Sequence, residues 1–349
     1  MDVIPKIECW FLDVGQGASN VILLGGRRAI VIDGGPRGST VPLQLLKRHV
    51  ETIELLVITH NDEDHDGGVA RILANFPRAV KQIYFLVDRP ASSIKTYRLA
   101  QLERARGRLL CEPKRLEMSQ RPKLLFADSA SRIQLRLLYP SLMENMAAEQ
   151  DVDRHNRTSG ILVLLAEKRK VVFSGDANIS AWESLAARMP HLPLTCDIMT
   201  APHHGGLLTG GKQSPEDHEN NARRLFAEII RPETVIISVG SANDHRHPRA
   251  ETLAVLRDVG TRVVCTQMTP RCCSGLEAVR PCVMDFAWPS QSSRTSRLTR
   301  TGRSKDVACA GSVVAEISPD AIEISVWEEH QATIQQLVTG WGIHPVCRG

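Results

Sequence analysis

The chain places His60, Asp62, Asp64 and His65 on one short turn, within the run LLVITHNDEDHDGGV at residues 55–69. Imidazoles and carboxylates side by side are the ligand set of borderline divalent ions such as Zn²⁺ and Mn²⁺. Without a cation, clustered carboxylates repel one another and raise their own pKa values. A helix start at Gly67 and Gly68 would offset only part of that charge, through its free N–H groups. A bound dication would offset all of it, and the two glycines would let the backbone pass close to it.

Ligands must also come from elsewhere, and three further clusters supply them. Asp176 lies in VVFSGDAN, His203 and His204 in IMTAPHHGG, and His245 and His247 in VIISVGSANDHRHPR. Each cluster follows an apolar run that reads as a strand, and six of the twelve histidines fall in the four clusters. Strand ends meeting at one rim hold side chains on rigid supports. Ser174 of SGDA has no Ser-His-Asp set around it, so the chemistry expected is metal-assisted hydrolysis.

The supporting elements read as short strands at 7–14, 21–24, 29–33, 55–59, 83–87, 133–139, 160–165, 170–174, 198–201, 234–239, 262–265, 312–317 and 321–327. Helical patterns fall at 43–50, 181–188, 221–230 and 249–259, and Val69, Ile72, Leu73 and Phe76 share a helical face. Strand groups followed by helices imply two sheets packed face to face with helices outside. Residues 98–123 read as loop-like, basic and partly helical; 291–305 read as a Ser/Thr/Arg-rich loop; 331–349 read as a helical or irregular tail.

These motifs carry a family resemblance. The run from His60 to His65 resembles the HxHxDH signature of the metallo-β-lactamase superfamily, with Asp62 in place of the second histidine. That variant is similar to the soluble hydrolase domain of ComEC-type DNA-uptake competence proteins. FLDVGQGAS, VIDGG, HNRTSGILVLL, FSGDA, PHHGG and SVGSANDHRHP follow in that group's order, so the likeness covers roughly residues 7–270. It implies an α/β fold, an αββα four-layer sandwich with a C-terminal extension, divided as 1–270 for the hydrolase domain and 271–349 for the extension. It also implies two divalent ions, Mn²⁺ or Zn²⁺. His60 and Asp62 would face the first, Asp64 and His65 the second, Asp176 would bridge, and His203 would be the late ligand. Asp64, His204 and His247 are the candidate catalytic groups, with His204 orienting a ligand or contacting phosphate and His247 contacting the leaving group. Asp13 and Asp33 would be supports. The histidine that the superfamily carries before the bridging aspartate has no clean match; Asn156, beside His155, lies nearest. A donor set rich in Asp tilts toward Mn²⁺.

The activity implied is a phosphodiesterase or nuclease acting on DNA through a water activated by two cations. A small-molecule hydrolase for a lactam, thioester or cyclic nucleotide, or a metal-bound regulatory module without turnover, are the rivals on the same fold. The net charge of +4 suits a polyanionic substrate, and Arg294, Arg297, Arg300 and Arg303 are candidate phosphate contacts. Stand-alone relatives imply a possible protein partner from a defence or DNA-processing system. No run of eighteen apolar residues and no signal peptide are seen, so no membrane partner is expected. Nine scattered cysteines, with no CxxC spacing among Cys272, Cys273, Cys282 and Cys309, point to free thiols and the cytoplasm.

Overall fold

Two sheets form because strand after strand alternates side chains between an inner and an outer apolar layer. In the computed structural model, which describes residues 6–148, 151, 153–190, 194–211, 213–241, 245–269, 308–318, 321–342 and 345, the first sheet holds β1 (Ile7–Phe11), β2 (Asn20–Leu23), β3 (Arg28–Ile32), β4 (Thr52–Ile58), β5 (Ile83–Phe85) and β6 (Pro113–Arg115). β14 (Val313–Ile317) and β15 (Ile322–Ile324) extend it, giving the order β15-β14-β1-β2-β3-β4-β5-β6. The second sheet holds β7 (Lys123–Asp128), β8 (Ile133–Tyr139), β9 (Ile161–Ala166), β10 (Arg169–Phe173), β11 (Cys196–Thr200), β12 (Pro232–Ile237) and β13 (Arg262–Cys265), ordered β13-β12-β11-β10-β9-β8-β7.

Alternation assigns each layer. Phe11, Ile32, Val57, Leu162, Phe173 and Ile236 pack between the sheets. Their neighbours Trp10, Val31 and Leu56 point outward onto α1 (Val41–His49) and α3 (Val69–Asn75), meeting Leu45, Leu46, Ile72 and Leu73. On the far side, Val172, Met199, Val235 and Val263 meet Trp182 and Leu185 of α7 (Ile179–Arg188) and Leu253 and Leu256 of α9 (Ala250–Asp258). Helix, sheet, sheet, helix is the four-layer αββα sandwich. Strands buried on both faces read as continuous apolar runs, as ILVLLA of β9 does.

Direction brings the functional loops to one edge. β3, β4 and β5 are mutually parallel, and β1 runs with them because it is antiparallel to β2, which is antiparallel to β3. In the second sheet β10, β11, β12 and β13 are parallel. Their C-terminal ends release the chain at the same rim, where open α/β sheets bind ligands. Backbone crowding fastens that rim. A Cβ on Gly68 would stand 2.1 Å from the carbonyl oxygen of Gly34, so the loop after β3 and the start of α3 touch through backbone. That contact, with the 34–37 loop, is what crowds Gly67 and Gly68, where an ion had been expected.

Other expectations shift. The 98–123 stretch contains β6, begins β7 at its end, and carries most of α4 (Lys95–Ala105). The hairpin expected to run to residue 327 stops at Ile324, and a fifteen-residue helix spans Trp327–Trp341. β14 pairs antiparallel with β1 from Ile7↔Ile317 to Phe11↔Val313, so the segment after residue 307 is hydrogen-bonded into the first sheet. Among the described residues no helix is long and apolar enough to cross a membrane. Cys309 is buried; Cys272, Cys273 and Cys282 lie outside the described residues.

Candidate metal centre

The turn after β4 is built on Asp33. This residue ends β3 in a left-handed conformation, with φ 63°, which aims its carboxylate across the rim. Oδ1 accepts the backbone N–H of Thr59 at 2.7 Å, and Oδ2 accepts the Thr59 hydroxyl at 2.7 Å and Nδ1–H of His65 at 2.8 Å. A carboxylate on Nδ1 leaves Nε2 of His65 with its lone pair pointing into the site. The Thr59 hydroxyl lies 3.4 Å from Nδ1 of His60, which likewise presents Nε2. The strand after which these residues fall is buried throughout its second half, and His60 and His65 are themselves fully buried.

Asp176 enters from the end of β10. Gly175 precedes it with φ 50°, and a Cβ there would lie 2.4 Å from Ser159 Oγ. That hydroxyl accepts the N–H of Asp176 at 2.9 Å, so the loop before β9 positions the aspartate. Asp176 Oδ1 is 3.1 Å from His65 Nε2 and Oδ2 is 3.5 Å from His60 Nε2.

The late histidine comes from the turn after β11. His203 and His204 both adopt left-handed backbone, with φ 51° and 55°. The consequence separates them. His204 Nδ1 donates to the carbonyl of Ser238 at 2.8 Å, and its Nε2 stands 3.3 Å from Asp64 Oδ2 and 3.2 Å from His65 Nε2. His203 Nδ1 donates to the carbonyl of Leu207 at 2.8 Å, and its ring lies against His247, centroids 4.9 Å apart. The side chain brought into the cluster is therefore His204, where the sequence reading put His203.

Among the described residues, two sets of donor atoms converge: His60, His65 and Asp176, and Asp64, His65 and His204. Asp62 is at the margin, half exposed, with Oδ2 3.8 Å from His60 Nε2. Behind the cluster lies a cavity of about 20 Å³ touching Asp33, Thr59, His65, Asp176 and His204, closed inward by Phe11, Ile32, Phe173 and Ile236. Among the described residues, His60 Nε2 and Asp176 Oδ1 are buried without a hydrogen-bond partner. Orphaned buried acceptors cost several kcal/mol unless something electropositive meets them. Divalent cations fit this donor set.

The electrostatics agree. Burial would raise the Asp176 carboxyl, but His65, His204 and His60 hold it well below the usual range. Burial would lower His65, yet Asp176 and Asp33 hold it well above its ordinary value. His204 is likewise raised, Asp176 and Asp64 outweighing burial. His60 is lowered by burial and by His65 beside it. Protons are thus drawn to the His65 and His204 lone pairs that a cation would take.

His247 packs beside the rings of His203 and His204, with centroids 4.9 and 6.2 Å away. Gln16 Nε2 donates to its Nδ1 at 3.3 Å, and burial, with His203 and His204 nearby, pushes its pKa down to about 2. It stays neutral, with Nδ1 accepting from Gln16 and its one N–H left on Nε2. Asp13 is a support, as expected of it: it accepts from Gln267 Nε2 at 2.8 Å and its N–H donates to Ser312 Oγ at 2.9 Å. Two rim groups escaped the sequence reading. Gln16, in the Gly-rich loop after β1, is tied to His247, and Asp88, after β5, is fully buried against His155. Arg294, Arg297, Arg300 and Arg303 lie outside the described residues.

A model of the Metallo-beta-lactamase superfamily matches residues 14–81. ComE operon protein 3 of Bacillus subtilis is 23% identical over 281 residues, covering 74% of this chain and 32% of that protein. Recombination protein 2 of Haemophilus influenzae is 26% identical over 250 residues, covering 70% and 26%. Among solved structures, unliganded yeast PDE1 is 13% identical over 74% of this chain and 97% of its own, with a TM-score of 0.47. The four-layer sandwich, the signature matched at residues 14–81 and the donor cluster at the rim are similar to those of the metallo-β-lactamase superfamily. The chain resembles these ComEC-type competence and recombination proteins, and it spans between a quarter and a third of their length.

Proposed function

We propose that this protein is a metal-dependent phosphodiesterase that cuts nucleic acid, with DNA its substrate. The observation that carries the metal half is the orphaned pair His60 Nε2 and Asp176 Oδ1, set beside the facing Nε2 atoms of His65 and His204. The substrate half is supported by the competence and recombination proteins it resembles and by a net charge of +4.

The donor set divides around Asp176. His60, with Asp62 at its margin, would hold one ion; Asp64, His65 and His204 would hold the other, with Asp176 between. Bound there, two cations, Mn²⁺ or Zn²⁺, supply Lewis acidity toward a phosphoryl oxygen and lower the pKa of a water. The chain does the rest. Asp33 and the Ser238 carbonyl fix the tautomers of His65 and His204, so that both present lone pairs. Asp64, kept ionised by His204 and His65 despite burial, balances charge at the rim. His247, held neutral and braced by Gln16, orients a substrate oxygen near the cluster. Arg294, Arg297, Arg300 and Arg303 would follow the phosphate backbone; their replacement by Ala should flatten the salt dependence of binding.

The test is incubation of purified protein with labelled single- and double-stranded DNA and RNA, in Mn²⁺, Zn²⁺, Mg²⁺ or chelator. Cleavage with Mn²⁺ or Zn²⁺, lost in chelator and in Asp176→Ala, is expected. Normal cleavage by Asp176→Ala removes the dinuclear proposal. No cleavage of any nucleic acid, beside metal-dependent turnover of small esters, replaces the substrate with a small molecule.

A further inference from the structure

Asp88 is wholly buried in the loop after β5, and nothing in the metal cluster uses it. Its carboxylate accepts Asn61 Nδ2 at 2.8 Å, Arg89 Nε at 3.3 Å, and Nδ1–H of His155 in a short contact. His155 behaves differently from its partner: its side chain is 40% exposed. With Nδ1 committed to the carboxylate, Nε2 is the nitrogen left for solvent or substrate.

Three ties place this pair on the rim of the metal cluster. Asn61 follows His60 directly, and its side chain spans the Leu86 carbonyl and Asp88. The chain carrying His155 runs on through Ser159, whose hydroxyl takes the N–H of Asp176, to Gly160, whose N–H donates to Thr59 at 2.9 Å. Two residues before His155, Asp153 packs against Gly210 in the loop that begins at His203. The loops holding His60, Asp176 and His203 therefore all touch the segment that carries His155.

From this we infer that His155 is the proton donor to the leaving oxygen, and that Asp88 is its positioning residue. A buried carboxylate behind an imidazole fixes its tautomer and orientation, and the exposed nitrogen transfers the proton. The inference rests on the phosphodiesterase reading above. As the attacking water forms its bond to phosphorus, the bond from phosphorus to the leaving oxygen breaks. The departing alkoxide keeps the electron pair and takes the proton from His155 Nε2, leaving as an alcohol. The proton released by the water recharges His155 through solvent, so no other reactant is needed.

A leaving-group comparison tests this. An unactivated dinucleotide must expel an alkoxide, whereas p-nitrophenolate leaves from thymidine 5′-(p-nitrophenyl phosphate) without a proton. His155→Ala should lose about 10²–10³-fold in kcat/KM on the dinucleotide. The loss on the activated ester should be at least ~10-fold smaller, with metal content unchanged. Asp88→Asn should show the same imbalance, reduced in size. Equal losses on the two substrates would make His155 a structural residue and overturn the proposal. Loss of metal from His155→Ala would make it a ligand and also overturn it. An unaltered protein that cleaves neither ester in Mn²⁺ or Zn²⁺ would remove the phosphodiesterase reading itself.

Discussion

His65 Nε2 and His204 Nε2 stand 3.2 Å apart, and each ring has already given its Nδ1–H away, to Asp33 and to the Ser238 carbonyl. Two lone pairs at that separation repel unless a proton or a cation sits between them. Asp176, with Asp33 or Asp64 in support, raises the proton affinity of both rings, so in the metal-free protein they stay charged to higher pH than a free histidine.

Metal binding must then displace protons, because a cation needs the neutral imidazole. Apparent affinity for Mn²⁺ or Zn²⁺ is expected to rise with pH up to those raised values and to fall below them. Titration calorimetry in two buffers of different ionisation enthalpy should report protons released at neutral pH. Binding that is indifferent to pH would mean that the ion does not use these rings.

Asp33 touches no ion in this scheme, yet it sets the direction of His65. Asp33→Asn would place an amide NH₂ against groups that now donate to a carboxylate, and would favour the wrong tautomer of His65. Metal affinity should drop by about 10–100-fold while the sandwich stays folded. Circular dichroism and a metal titration on the same sample separate the two effects.

Much of this centre was legible in the chain. The turn at His60 to His65 follows a buried strand, and its crowd of acids and imidazoles has little reason to exist without a cation. What stayed hidden is physical. His203 and His204 are adjacent and share a left-handed backbone, so only the tertiary acceptors, Leu207 and Ser238, decide which ring turns inward. Asp88 and His155 are 67 residues apart and meet through a fold-level contact. β7, KLLFAD, lies at a sheet edge with a register shift against β8, so its alternation is broken where a strand would be read. The helix at Trp327–Trp341 opens on a tryptophan that continues the apolar run of β15, and its two glutamates in the first turn mark the start.

That helix carries its own pH dependence. His330 is fully buried, neither ring nitrogen has a hydrogen-bond partner among the described residues, and burial lowers its pKa to about 4. The unfolded chain takes up the proton near the ordinary histidine value, the folded chain only near 4. Stability is therefore full above the unfolded pKa and falls as pH drops toward 4, by on the order of 3 kcal/mol. Urea unfolding across that window should show the slope, and His330→Leu should flatten it.

The central claim, that lone pairs from three loops converge on a pair of cations, is tested most directly by counting ions. Elemental analysis after dialysis against Mn²⁺ or Zn²⁺ should give two ions per chain. His204→Ala should lose at least one of them, and His203→Ala should keep both. A chain that holds no metal, or one in which His203→Ala strips the ions while His204→Ala retains them, contradicts it.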